Sequence, residues 1–247
     1  MKASVSPAVA ILAALLLACV SPNGHAQDVV VQKDGQRREG QILGVKSDAI
    51  RIKVGPVETG VPMANVASVI MAAPKAYADS LAQWQKGDAA KTLTLLTPLV
   101  ENFNGLKTNW AERASALLGE VYLSAGQTEK AEAAFAGFQK LYPEAASTAD
   151  VGLARLAIAK KDFDAARVKL VPIVEKAKTL KLPDSGDSAV YGQALFLLGQ
   201  VQESSGENAE ALENYLLVVT LFHEDDAATA KAAERANVLK EKNVIVP

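Results

Sequence analysis

Apolar positions between residues 113 and 143 fall into two stripes. Leu117, Leu118, Val121 and Tyr122 recur at helical spacing, and Ala131, Ala134, Phe135 and Phe138 do the same, so the segment reads as two helices with one apolar face each. Gly126 lies between them and tolerates the positive φ that ends many helices, while Gly119 lets a second backbone approach closely. Pro143 stops the second helix because it has no N–H for the hydrogen-bond ladder. Two striped helices joined by so short a turn fold against each other.

The same pattern returns before and after this unit. Tyr77 to Gln85 and Ala89 to Phe103 flank the turn Gly87-Asp88, and Thr92, Leu96 and Leu99 stand in the places of Ala131, Phe135 and Phe138. Ser80 is the small residue of that copy, but Asp79 and Gln83 stand where Leu118 and Tyr122 do, so its first helix reads either as half of a degenerate repeat or as a cap. A third copy, Ala149 to Lys178, aligns Leu153, Ala154, Ala166, Leu170 and Ile173, with the turn Lys161-Asp162 lacking a glycine. A fourth, Gly192 to His223, carries Leu195, Leu198, Gly199, Gly206, Ala211 and Tyr215, with Gln202 and His223 replacing an aromatic and a proline. Ala227 to Glu241 alternates small apolar and charged residues, which suits the polar cap that an open stack of repeats needs. The turns at Gly87, Gly126, Lys161 and Gly206 are 39, 35 and 45 residues apart. The surplus falls in Asn104 to Asn109 and Lys181 to Tyr191, loops marked by Pro183 and Gly186 in the second case, which hold either specific contacts or plain length drift.

Upstream, the period changes to two. Runs rich in Val and Ile between Asp28 and Met71 are broken by Asp34-Gly35, Ser47-Asp48 and Gly55-Pro56, which predicts five strands. Ile50, Ile52 and Val54 alternate with Arg51 and Lys53, as in a strand with one buried face. Gly40 and Gly44 inside the long second run allow the bend that a small closed or nearly closed barrel requires. Ala72 to Lys75, with Pro74, is the linker into the helices.

With Gly119, Tyr122, Gly126, Ala131, Phe135 and Pro143 in place, the unit from Arg113 to Pro143 resembles a tetratricopeptide repeat (TPR), and Gly199, Ala211 and Tyr215 repeat part of that set. The segment of short strands resembles an SH3-like or Sm-like small barrel. These resemblances imply a mainly α chain: a TPR-like helical solenoid of about four helix pairs plus a capping helix over residues 76–245, preceded by a small five-stranded β-barrel over 27–72. In the TPR register the first helices of repeats two to four present Arg113, Glu120, Leu123, Arg155, Ile158, Phe196, Gln200 and Glu203 to a concave, partner-binding groove. Phe196 is the natural anchor there, unless it packs beneath the last helix or the preceding long loop. The carboxylate clamp of some TPR proteins needs a fuller set of cations and amides than Arg113 and Arg155 supply.

Composition narrows the chemistry. Apolar residues make up 49% of the 247, largely Ala, Leu and Val with 5% aromatic, which suits close-packed helices. Net charge is −2 with both signs interspersed, so no basic stripe for nucleic acid exists. Cys19 is the one cysteine and His25 and His223 the two histidines, which leaves no material for a zinc site or a histidine-activated nucleophile; no catalytic residue, metal or cofactor is expected. Acidic pairs such as Glu129 and Glu132, or Asp225 and Asp226, lie on exposed helical faces or at a helix start and lack the cleft that two-carboxylate chemistry needs.

Residues 1–26 begin with Lys2, run apolar from Val9 to Val20 and end in Gly24-His25-Ala26, the layout of a secretory signal cleaved before Gln27. A second, less favoured route is a lipid anchor on Cys19, since Leu16-Leu17-Ala18-Cys19 resembles a lipobox with a poorly fitting second leucine. The apolar run is too short for a membrane span of ~20 residues. The expected protein is therefore an exported, periplasmic, bacterial-envelope interaction module that works as an adaptor or scaffold and holds a peptide or protein segment in its TPR groove. The alternatives are a structural self-associating envelope protein and an outer-membrane lipoprotein assembly factor.

Overall fold

A computed structural model describes residues 27–180 and 185–246. The signal segment, Cys19 and the Pro183 part of the long loop lie outside the described residues. The chain opens with β1 (Asp28–Gln32), β2 (Arg37–Lys46), β3 (Ala49–Val54), β4 (Val57–Pro62) and β5 (Val66–Ile70), each antiparallel to its neighbours in the order β4-β3-β2-β1-β5. The predicted alternation holds in the middle of β3, where Ile50 and Ile52 are fully buried and Lys53 is exposed; Val54, expected on the same buried face, is exposed because it ends the strand at the turn. Ser47 and Asp48 both take positive φ (49° and 57°), the mirror-image turn that matches the twist of a two-residue hairpin.

The expected barrel closure does not occur. β2 bends, pairing with β1 through Arg37 to Gly40 and with β3 from Gln41 onward, with an irregularity between Ile42 and Gly44. β4 and β5 nevertheless remain the two edges of an open sheet. The physical reason lies in the helices, which supply the core that closure would have supplied. Val30, Ile42, Ile50, Ile52, Val61 and Val66 share one apolar cluster with Leu96, Leu99, Val100, Leu106 and Trp110. Gly44, at φ 146°, lies against Asn102; a Cβ there would stand 2.7 Å from the Asn102 carbonyl oxygen. The Asn102 amide donates to the Leu43 carbonyl at 2.9 Å, so the sheet docks backbone-first on the helix that carries it.

Nine helices follow among the described residues: α1 (Lys75–Gln85), α2 (Ala89–Phe103), α3 (Asn109–Ser124), α4 (Thr128–Leu141), α5 (Ala146–Ala159), α6 (Phe163–Thr179), α7 (Ser185–Ser204), α8 (Asn208–Thr220) and α9 (Asp226–Glu241). Each packs on the next, and each odd-numbered helix also packs on the next odd one, whereas no two even-numbered helices do so to a similar extent. That asymmetry puts the odd helices on the inside of a TPR-like curved stack. α1 is a full partner of α2, with Ser80 completely buried. α7 begins before Gly192, at Ser185, and takes up part of the expected loop.

The turns explain the repeat. Gly87, Gly126 and Gly206 take φ of 75°, 71° and 81°, and Lys161 takes the same place at 61°. A side chain in that conformation costs about 1–2 kcal/mol. Asp162, whose carboxylate accepts from Ala165 N at 3.0 Å, caps the following helix, as Asp88 caps α2 through Lys91 N. α4 ends at Leu141 and Pro143 opens a short 3₁₀ turn.

Packing between the helices rests on glycine against aromatic. The ring of Phe135, 1% exposed, lies so near Gly119 that a Cβ there would be 2.5 Å from Cε1, and it lies against Gly152 of α5 in the same way. Tyr215 meets Gly199 likewise, with a Cβ falling 2.6 Å from the ring, and Ala131 and Ala211 are fully buried beside these contacts. Tyr122 is half-buried, its hydroxyl 3.5 Å from Thr97 Oγ1. Gln202, in the place of that aromatic, instead accepts from the buried Asn214 amide at 2.7 Å.

The Asn104 to Asn109 surplus sends its middle into the core. Leu106 is fully buried, Asn104 Oδ1 accepts from Ser115 at 3.1 Å, and Gly105 N–H donates to the Tyr142 hydroxyl at 2.9 Å.

Candidate binding surface

The inner face of the stack is built from α3, α5, α7 and α9. A polar chain crosses all four. Arg155 on α5 reaches Glu120 on α3 at 2.6 Å and donates to Gln193 on α7 at 2.9 Å, and the Gln193 amide donates to Asp225, the residue that caps α9 through Ala228 N at 3.0 Å. Glu120 and Arg155 are about a quarter exposed, so each is partly shielded and the pair is fixed more firmly than a surface ion pair.

The sequence-predicted groove residues divide. Arg113 is exposed on α3. Leu123 leans into the cluster around Phe135, and Ile158 leans into the large core of the last three repeats. Phe196, expected to stand out as an anchor, is only 8% exposed and packs on Tyr215 with ring centroids 5.9 Å apart. Glu203 receives both Arg235 Nε, at 3.1 Å, and the second guanidinium nitrogen, and the Tyr215 hydroxyl donates to it at 3.2 Å. The Arg235 guanidinium holds the Glu203 carboxyl below the usual carboxylate range, and burial above all pushes the Tyr215 phenol well above its ordinary value. Gln200 is half-buried, and its side-chain amide makes no hydrogen bond among the described residues.

Two clefts meet at Gln200. One, of about 420 Å³, opens between α5, α7 and α9 and is lined by Arg155, Gln193, Phe196, Gln200, Asp225 and Lys231 among others. The other, of about 400 Å³, is lined by Gln200, Glu203, Ser204 and Arg235. Both lie beside α7 and share Gln200 as a lining residue, and the two together make up the trough of the inner face. Of the groove residues expected from the sequence, Arg155, Phe196, Gln200 and Glu203 line these clefts. Gln193 lies seven residues before Gln200, two helical turns along the same face, so a longer reading of α7 could have found it. Asp225, Lys231 and Arg235 had no such signal, because the last helix read only as a cap.

A larger cleft, about 740 Å³, lies elsewhere, between the start of α3 and the end of α4, where Lys107, Glu112, Lys140, Tyr142 and Glu144 line it. Burial, then the neighbouring Glu144, raises the Glu112 carboxyl above its ordinary value. Among the described residues no three His, Cys, Asp or Glu side chains gather as metal ligands do, and no helix is long and apolar enough to cross a membrane.

No family model matches the sequence, and no curated protein does. Two solved structures of kinesin light chain TPR-like repeats from Podosopora anserina, one a point variant of the other, are similar to this chain at 16% identity and a TM-score of 0.46. They cover 68% of this chain and 95% and 92% of their own.

Proposed function

We propose that the chain is a non-catalytic protein-binding module, an adaptor or scaffold that holds an extended segment of a partner along the inner face of α5, α7 and α9. One observation carries this reading: the trough on the inner face keeps a half-buried glutamine amide without a partner among the described residues, while the two arginines beside it are already paired with Glu120 and Glu203. A photo-crosslinking residue at Gln200 tests it, with Val168, 72% exposed on α6, as the control position. Partner adducts from position 200 alone are expected; equal labelling from both positions refutes the reading.

We further propose that the protein acts outside the cytoplasm, in a bacterial envelope, as residues 1–26 suggest. The intact mass of protein from the envelope fraction is expected to begin at Gln27, and a lipid on Cys19 would make it a membrane-anchored protein instead. A second reading, self-association, is favoured by β5. This edge strand, VASVI, has no charge and no proline to discourage pairing, and Ile70 at its end is 57% exposed. Sedimentation equilibrium of the parent against Ser68→Lys decides it, a dimer lost in the variant supporting this reading and a monomeric parent ending it.

A further inference from the structure

We propose that α9, besides ending the helix stack, is one wall of the binding site, and that its Lys231 selects an acidic side chain in an extended peptide whose backbone lies on Gln200. This inference rests on the protein-binding reading above and adds the chemistry of the bound segment. Almost every charge in the trough is already committed. Arg155 holds Glu120 and Gln193, Arg235 holds Glu203, and Asp225 is shared between the cap of α9 and the Gln193 amide. Lys231 differs: it is exposed, lines the larger of the two clefts and has no ion-pair or hydrogen-bond partner among the described residues. An anionic group entering the trough gains a pairing and breaks none. A cationic group would find Asp225, which is in no ion pair among the described residues but is recessed and already accepts from the Ala228 N–H and the Gln193 amide, and the exposed Lys231 would repel it.

The rest of the site fits an extended chain. A free glutamine amide carries two donors and an acceptor, the complement of a peptide unit, and a strand offers one such unit every ~3.3 Å. Phe196 and Leu197, 8% and 6% exposed, form the floor, so an apolar side chain next to the acidic one would find a dry contact. Ala227 and Ala228 keep the α9 wall low; bulkier residues there would fill the cleft they line. The helix thus buries Ala232, Ala236 and Leu239 on α8 while its other side borders the trough, so one element serves both as cap and as recognition surface.

The test uses the chain from Gln27 onward and a displayed library of random peptides of about ten residues, long enough when extended to cross three packed helices. Selected peptides are expected to carry Asp or Glu next to a large apolar residue. Lys231→Glu should weaken them about tenfold or more and shift selection toward Lys and Arg; Lys231→Met should remove the acidic preference without that reversal. Gln200→Ala should weaken all of them alike. Neutral or basic peptides that still depend on Gln200 overturn this inference alone. No enrichment, or binders indifferent to both positions, overturns the protein-binding reading with it.

Discussion

Gly152→Ala probes the packing between repeats at its tightest point. A Cβ at residue 152 would stand 2.8 Å from Cδ1 of Phe135 and closer still to Cε1 and Cζ. Carbon atoms rest at roughly 3.5–4.0 Å, so the ring would have to withdraw by about 1 Å. The same edge atoms already meet Gly119 of α3, and the ring is 1% exposed, so there is nowhere to withdraw without parting α3 from α5. Overpacking of this kind costs about 1–3 kcal/mol, against which alanine gains about 1 kcal/mol over glycine inside a helix, for a net loss of roughly 0–2 kcal/mol. Phe135→Leu removes the ring edge. In that background the alanine should keep only its helical gain, so the double-mutant cycle predicts a coupling of about 1–3 kcal/mol. Urea unfolding of the four proteins by circular dichroism measures it. Additivity within about 0.5 kcal/mol would refute the idea that two glycines are needed to seat one ring.

Three further outcomes follow from the same geometry. Gly119→Leu should cost at least the ~1–3 kcal/mol of overpacking and exceed any single surface charge change such as Glu129→Lys; a parental melting temperature would show the contact to be misassigned. Phe196→Ala should lose about 3–5 kcal/mol, as a buried ring against Tyr215 does, and a stability loss below ~1 kcal/mol would return Phe196 to the role of an exposed anchor. Tyr142→Phe should cost about 1 kcal/mol at neutral pH through the lost bond from Gly105. Burial pushes the Tyr142 phenol up to about 12, against about 10 in an unfolded chain, so the folded state keeps a proton that the unfolded state releases. Stability then falls as pH rises from about 10 to 12, by up to ~1.4 kcal/mol per unit, and Tyr142→Phe should fall less steeply in parallel urea titrations.

Sequence alone determined what depends on neighbours three or four residues apart. The apolar stripes of α3 and α4, the turns at Gly87, Gly126 and Gly206, the stop at Pro143 and the alternation through Ile50 and Ile52 are all local, since helix period, strand period and backbone φ are set within a turn of chain. Even Lys161 was placed correctly as a turn, though its positive φ was not visible. Tertiary structure decided whatever joins residues far apart. It left the sheet open because α2 packs on β2 and the sheet's apolar residues join one cluster with α2, Leu106 and α3. It brought Gly152 onto the far side of Phe135 and drew the loop at Leu106 into the core under Tyr142. It also linked Glu120, Arg155, Gln193 and Asp225 across four helices and made α9 a wall of the trough. The curvature of the stack sets these meetings, and curvature is the sum of small rotations at every helix contact, which no local pattern of residues records.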